Sequence, residues 1–237
     1  MGDQGVQVDR QELSPINFLE RAGDVYADRV AVVDGPKIFT WQEFRGRARR
    51  CAHALRKAGL QHGDRVALLA WNSEALLLAH FAVPLAGGVL VAMNTRLSER
   101  EIAYIVQQSG ARLLFFSPEL EAQCAAIPTS VQKWNLHDQW EPFLATGEDE
   151  VVDSWLVDEE ETISINYTSG TTGRPKGVMY SHRGAYLNAL AMALEHRLTT
   201  ESLYLWTLPM FHCNGWLFPW ALAAVGAQSI CIPSIDT

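Results

Sequence analysis

The first clear pattern in the chain is an amphipathic stretch between residues 40 and 58. Apolar side chains recur there at the spacing of one helical face, at Phe44, Ala48, Cys51 and Leu55. Thr40 and Glu43 have the spacing of a capping box at the helix start, and Gly59 is a suitable stop signal. We therefore predict a helix over residues 41–58 with one buried face.

Short apolar runs alternate with further helical patterns through the rest of the chain. Strands are predicted at residues 65–70, 89–93, 112–116, 162–167, 203–208 and 229–232. Predicted helices follow a cap at Asn72 or Ser73, a capping box of Ser98 with Glu101, and Ser117, and two more span residues 181–197 and 216–225. This order predicts an α/β fold, with alternating βα units in parallel sheets and helices on both faces.

The stretch from residue 131 to residue 161 is less regular and ends in acidic residues. We interpret it as a surface connection that closes a first α/β subdomain at residue 160. The second part, residues 161–237, then holds a glycine-rich loop and the most apolar segment of the chain. With 48% hydrophobic residues, the chain has ample material for a buried core.

Composition excludes several classes of function. The net charge of −8 argues against a nucleic-acid partner, and the basic residues between 45 and 57 are interpreted as the solvated face of the predicted helix. Four scattered cysteines without a Cys-x-x-Cys pair indicate a reducing compartment rather than a disulfide framework. The N-terminus lacks the apolar core of a secretory signal, so we predict a cytoplasmic protein.

The segment from residue 202 to residue 235 carries no Asp, Glu, Lys or Arg and is long enough to cross a bilayer. Polar and helix-breaking residues interrupt it, at Pro209, His212, Asn214, Gly215 and Pro219. Strands buried on both faces of a parallel sheet are also continuously apolar. We therefore favour a buried core segment over a membrane span.

The loop after the predicted strand 162–167 carries the strongest chemical signal. Residues 168–177 read Thr-Ser-Gly-Thr-Thr-Gly-Arg-Pro-Lys-Gly, which combines hydroxyl donors, glycines and one ammonium group. Such a loop can bring backbone N–H groups and Lys176 around polyphosphate. Its spacing fits neither a Walker A loop nor a Gly-x-Gly-x-x-Gly dinucleotide site. The simpler alternative is a surface turn.

Four stretches of the chain together resemble the adenylate-forming, AMP-binding superfamily, and within it the medium- and long-chain fatty-acyl-CoA ligases. The stretches are the loop with its preceding tyrosine (167–177), Phe-Thr-Trp-Gln-Glu-Phe (39–44), the pair His-Gly-Asp-Arg-Val-Ala (62–67) and Leu-Ala-Gly-Gly-Val-Leu (85–90), and Pro-Met-Phe-His-Cys-Asn-Gly-Trp (209–216). The resemblance implies the incomplete N-terminal domain of an acid:CoA ligase. ATP, Mg²⁺ and coenzyme A are the implied cofactors and co-substrates, and a hydrophobic carboxylic acid is the implied substrate.

The resemblance also implies roles for two groups of residues. Nucleotide binding is assigned to Thr168, Ser169, Gly170, Thr171, Thr172, Gly173 and Lys176, with the Thr168 hydroxyl as the metal contact. The acyl or adenylate pocket is assigned to Phe211, His212, Cys213, Asn214, Gly215 and Trp216. Trp216 resembles the tryptophan that gates the acyl tunnel of long-chain fatty-acyl-CoA synthetases, and core packing is its alternative. Long-chain relatives often dimerise through this domain, which makes a homodimer a further expectation.

The chain departs from the family's pattern at its end. The adenine and ribose motifs and the catalytic lysine of the family's C-terminal domain have no match after Trp216. We therefore expect the catalytic lysine outside this chain and little activity from the chain alone. Two alternatives stay open: a non-catalytic binding or assembly module with the same fold, and an adenylate-forming enzyme that performs only one half-reaction.

Overall fold

The computed structural model describes residues 11–153, 156, 158–168 and 174–232. In chain order its elements are α1 (Ile16–Val25), β1 (Val30–Asp34), β2 (Lys37–Thr40), α2 (Trp41–Lys57), β3 (Arg65–Leu69), α3 (Glu74–Leu85), β4 (Val89–Ala92), α4 (Glu99–Ser109), β5 (Leu113–Phe116), a 3₁₀ helix (Pro118–Cys124), β6 (Gln132–Asn135), α5 (Trp140–Leu144), β7 (Thr162–Thr168), β8 (Lys176–Ser181), α6 (His182–Glu195), β9 (Leu203–Leu205), the short α7 (Cys213–Trp216), α8 (Phe218–Val225) and β10 (Gln228–Cys231). Strands and helices alternate, as the pattern predicts.

The larger sheet has six strands in the order β6-β5-β3-β4-β7-β8. All neighbours are parallel except β7 and β8, which form an antiparallel pair. Both capping boxes form as predicted, on α2 and on α4, while Ser73 rather than Asn72 caps α3. Because β3, β4 and β7 run parallel, their carboxyl ends meet at one edge of this sheet.

The smaller sheet has four strands in the order β2-β1-β10-β9. β1 is parallel to β10, and β10 is parallel to β9, so an early strand pairs with a late one. Strands from both sides of residue 160 contribute to both sheets, because β7 also pairs with β4. The division of the chain at residue 160 stays a prediction.

The helix α3 is buried along its whole length, from Glu74 to Leu85. It contacts β1 of the smaller sheet, β4 of the larger sheet, and the helices α1, α2 and α8. A second apolar cluster, which includes Ile102 and Ile105 of α4 and Leu120 of the 3₁₀ helix, covers the other face of the larger sheet. The prediction of an α/β fold with parallel sheets is confirmed, and helices cover both faces of the larger sheet.

Several elements differ from their sequence-based prediction. The hairpin of β1 and β2, the strand β8 and the two elements β6 and α5 were not predicted, and the helix expected after Ser117 is a 3₁₀ turn. The predicted helix 216–225 starts at Phe218 because residues 213–217 have positive φ angles. In the described part of the chain, no helix is long and apolar enough to cross a membrane.

The basic residues of α2 are engaged in ion pairs rather than forming a simple solvated face. Arg49 pairs with Glu20 of α1, and Lys57 lies 2.8 Å from Glu148. Arg47 is the most enclosed, with 11% of its side chain exposed, and it lies 2.8 Å from Glu74 and 2.7 Å from Glu141. The α2 cations therefore attach α1, α3 and α5 to one helix.

Glu74 is a buried carboxylate at the start of α3. Besides Arg47, its side chain accepts a 3.1 Å hydrogen bond from Trp140 Nε1, and its backbone N–H donates to Asp34 at 2.8 Å. A charged group in such a place is stable only while its partners are present. This network joins β1, α2, α3 and α5 at one point.

Replacing Arg47 by methionine should remove the partner of the buried Glu74 carboxylate. We expect Arg47→Met to lower the free energy of unfolding by about 3 kcal/mol, measured by urea denaturation. Arg50→Met is the matched control, because Arg50 and Asp149 form a 3.5 Å pair with side chains 45% and 41% exposed. The control should cost less than about 1 kcal/mol. Equal effects of the two substitutions would contradict the role given to the buried network.

Among the residues that the structure describes, His80 and His182 are buried histidines. Burial lowers the pKa of His80 to about 4, and its Nδ1 lies 2.8 Å from the Leu76 carbonyl oxygen. Burial, followed by the charge of His62, lowers the pKa of His182 to about 4. The Nδ1 of His182 lies 2.8 Å from Ser14 Oγ. Both rings are therefore neutral in the folded protein above that pH.

These shifts predict a loss of stability as the pH falls. Between pH 6.5 and 4 the unfolded chain binds protons that the folded chain does not. The free energy of unfolding therefore decreases as the pH is lowered, by about 2 kcal/mol per histidine from pH 7 to pH 5. His182→Asn should flatten this slope in denaturant titrations at the two pH values. An unchanged slope in His182→Asn would show that His182 is not responsible.

Candidate functional site

The glycine-rich loop connects the two strands of a hairpin. β7 and β8 are antiparallel, and Thr168 at the end of β7 lies opposite Lys176 at the start of β8. Both residues are exposed. The predicted nucleotide-binding residues Ser169, Gly170, Thr171, Thr172 and Gly173 lie outside the described residues.

The hairpin sets limits on how this loop could bind phosphate. A Walker A loop leads into a helix and uses the positive end of the helix dipole. Here the chain passes from strand to strand, and α6 begins only at His182. The described positive groups at the mouth of the hairpin therefore include Lys176 but no helix N-terminus.

The second predicted site segment has an unusual backbone. Cys213, Asn214, Gly215, Trp216 and Leu217 have φ angles of 48°, 50°, 57°, 55° and 64°, so α7 is a left-handed turn. Left-handed backbone costs roughly 1–2 kcal/mol per residue with a Cβ, and consecutive residues in it are rare. Such strain persists only where surrounding contacts hold it, and it concentrates at functional sites.

Two buried contacts hold the left-handed turn. Asn214 is fully buried and donates a 2.8 Å hydrogen bond from Nδ2 to Ser164 Oγ of β7. Gly215 lies against the ring of Trp206, where an added Cβ would be 2.5 Å from Trp206 Cζ3. The space beside Trp206 excludes a side chain at this position, and the positive φ angle adds backbone strain to any substitution.

A small cavity of about 40 Å³ brings the two predicted site segments together. Thr168 lines it from the end of β7. Phe211, His212 and Cys213 line it from the predicted acyl-pocket segment, residues 211–216, called the acyl segment below. Asn214 and Gly215 are buried beneath the turn, whereas the Trp216 side chain is 53% exposed and does not line the cavity. Lys176 is also outside the lining.

Sequence reasoning missed several residues of this cavity, three of them with polar side chain groups. Asn166 of β7 and Tyr180 of β8 both line it, as does Asn94, which follows β4. Burial and the adjacent Cys213 thiol raise the pKa of Tyr180. A polar residue inside an otherwise apolar strand could have identified Asn166. Tyr180 gave no signal because β8 itself was not recognised.

The described residues include no group of three or more His, Cys, Asp or Glu side chains that could hold a metal ion by themselves. Thr168 offers one exposed hydroxyl at the mouth of the hairpin. Mg²⁺ in nucleotide sites keeps several waters and shares the phosphates, so one protein hydroxyl suits that mode of binding. The residues present therefore fit Mg²⁺ that arrives with a polyphosphate.

Residues 19–237 match the AMP-binding enzyme family model. The chain therefore belongs to this family, and the resemblance found in its motifs is confirmed.

Relatives include the 4-hydroxybutyrate–CoA ligase 2 of Metallosphaera sedula, 36% identical over 94% of this chain and 44% of that protein. The peroxisomal benzoate–CoA ligase of Arabidopsis thaliana is 38% identical over 93% of this chain and 42% of that protein. The structure of a Mycobacterium tuberculosis fatty acyl CoA synthetase superimposes with a TM-score of 0.86 at 26% identity, over 94% of this chain and 45% of that one. The chain spans less than half the length of these relatives.

The left-handed turn makes a sharp prediction for Gly215. Gly215→Ala adds a Cβ that meets Trp206, whereas the Cβ of Gly35→Ala, at φ +56°, meets no atom of the described residues within 4 Å. Both substitutions should cost about 1–2 kcal/mol of backbone strain, and Gly215→Ala should cost a further 1–3 kcal/mol from overpacking. Thermal unfolding of the two variants gives the comparison. Equal melting temperatures would contradict the close contact between Gly215 and Trp206.

Proposed function

We propose that this chain is the N-terminal part of an ATP-dependent carboxylic acid:CoA ligase. The cavity carries the proposal, because Thr168, at the start of the glycine-rich loop, lines it together with Phe211, His212 and Cys213. Membership of the AMP-binding family supports it, as do relatives whose names are CoA ligases. In the reaction, a carboxylate oxygen attacks the α-phosphorus of ATP and the bond to pyrophosphate breaks. Coenzyme A thiol then displaces AMP from the acyl-adenylate.

The main difficulty of the first step is the approach of two anions. The residues of the chain would act by holding ATP and the acid in line and by neutralising charge, and positioning of this kind supplies a large part of many rate enhancements. Residues 168–173 and the Lys176 ammonium group would hold the β- and γ-phosphates. Thr168 would contribute a hydroxyl to Mg²⁺, which, when bound, spreads the negative charge of the phosphates.

The acid would bind along Phe211–Trp216. The cavity is small, at about 40 Å³, so it could receive a carboxyl group but not a long acyl chain. An acyl chain would have to extend past it, and the exposed indole of Trp216 offers an apolar surface next to the turn. We propose a hydrophobic, fatty-acid-like acid. The named substrates of the relatives, 4-hydroxybutyrate and benzoate, show that chain length and shape vary among similar proteins.

The remaining functions would be supplied from outside the described site. We propose that the adenine and ribose contacts and the catalytic lysine come from a further part of the protein. The fraction of the relatives that this chain covers, 44% and 42%, supports this. On this basis the chain alone would be inactive. A homodimer and a cytoplasmic location stay predictions.

Lys176 provides the test. In the full-length protein carrying this chain, acid-dependent ATP–pyrophosphate exchange should fall 10- to 100-fold in Lys176→Gln, because one charge-assisted phosphate contact is lost. The control is Lys37→Gln, an exposed lysine on β2 of the other sheet, which should leave exchange unchanged. A wild-type protein without exchange for short-, medium- or long-chain acids would overturn the ligase proposal and favour a binding module. Exchange without thioester formation would indicate an enzyme of one half-reaction.

A further inference from the structure

The segment that leads from β9 to the left-handed turn is held by the side chain of Asn72. Asn72 Nδ2 donates to the carbonyl oxygens of Trp206 and Leu208, both at 2.9 Å, and its Oδ1 accepts from the N–H of Met210 at 2.8 Å. One amide thus binds three backbone groups within five residues. Because Ser73 caps α3, the Asn72 side chain is free for this task.

A second asparagine binds the next residue of the same segment. Asn166 Nδ2 donates to the carbonyl oxygen of Phe211 at 2.9 Å. Asn166 lies on β7, two residues before Thr168, and only 4% of it is exposed. Its Oδ1 is buried and has no hydrogen-bond partner among the described residues, and Asn166 lines the cavity that Thr168 and His212 share.

The chemistry of these contacts requires an amide. Backbone carbonyls outside a sheet need donors, and buried ones without a donor destabilise the fold. An asparagine side chain supplies donor and acceptor together, whereas aspartate at neutral pH has acceptors only and would repel the carbonyl oxygens. Replacing either residue by aspartate therefore removes the donor contacts with little change in side-chain size, and at position 72 it keeps the acceptor for the Met210 N–H.

We propose that Asn72 and Asn166 are positioning residues that fix the acyl segment relative to the glycine-rich loop. Asn72 attaches residues 206–210 to the carboxyl end of β3, and Asn166 attaches Phe211 to the strand that ends at Thr168. The proposal rests on the proposed function for its catalytic consequence only, since the contacts themselves define the placement. Neither residue has to touch the acid or the nucleotide.

The structural consequence is tested by hydrogen exchange in the full-length protein. In Asn72→Asp and Asn166→Asp, amide exchange over residues 206–217 should rise at least tenfold, while exchange in β3 and β4 stays unchanged. The matched control is Asn17→Asp in α1. It removes a 2.9 Å hydrogen bond from Asn17 Nδ2 to the Glu12 carbonyl oxygen. Unchanged exchange over residues 206–217, or an equal rise throughout the protein, would overturn the proposal. Asn166→Ala serves in place of any aspartate variant that does not fold.

The functional consequence is tested separately by adenylation kinetics with octanoate and ATP. A displaced acyl segment should raise the KM for octanoate at least tenfold and leave the KM for ATP within about twofold. A fall in kcat alone, or equal changes in both KM values, would contradict a positioning role. If the wild-type protein shows no adenylation, the proposed function fails, and the exchange experiment still decides whether the two asparagines hold the segment.

Discussion

The parallel arrangement of β3, β4 and β7 is the constraint on which the site depends. Parallel strands end at the same edge of a sheet, so Asn72 after β3, Asn94 after β4 and Thr168 at the end of β7 lie along one edge. The segment between β9 and α8 returns from the other sheet to this edge. It can lie there because asparagine side chains and a left-handed turn replace the hydrogen bonds of a strand or a right-handed helix.

The position of the two sheets depends in turn on α3. This helix has no polar face, so it must be surrounded, and it contacts both β1 and β4. Glu74 at its first turn would be unfavourable there by itself, and Arg47 and Trp140 supply the partners that offset its burial. The backbone N–H of Glu74 also donates a hydrogen bond to Asp34 of β1, which links that strand to α3. Asn72 lies between the end of β3 and the start of α3, so this stretch of the chain connects the core to the site.

Much of the fold could be predicted from local signals, because caps and apolar periodicity act within a few residues. The Thr40–Glu43 and Ser98–Glu101 capping boxes formed as expected. β8 was missed because its apolar run, residues 178–180, is only three residues long, and its position depends on pairing with β7. The left-handed turn was missed because Gly215 is held by Trp206 and Asn214 by Ser164, contacts that only the tertiary structure creates. Tyr180 was missed together with β8, whereas Asn166 could have been identified as a polar residue inside an otherwise apolar strand.

The central claim is that one site at the end of β7 receives both the phosphates and the acid. The most direct measurement is a crystal structure of the full-length protein with a non-hydrolysable acyl-sulfamoyl adenosine, which imitates the acyl-adenylate. We predict that its sulfamate group lies between Thr168 and His212, with the acyl chain directed past Phe211 towards Trp216. An analogue bound at another edge of the sheet, or with its acyl chain away from residues 211–216, would contradict the account.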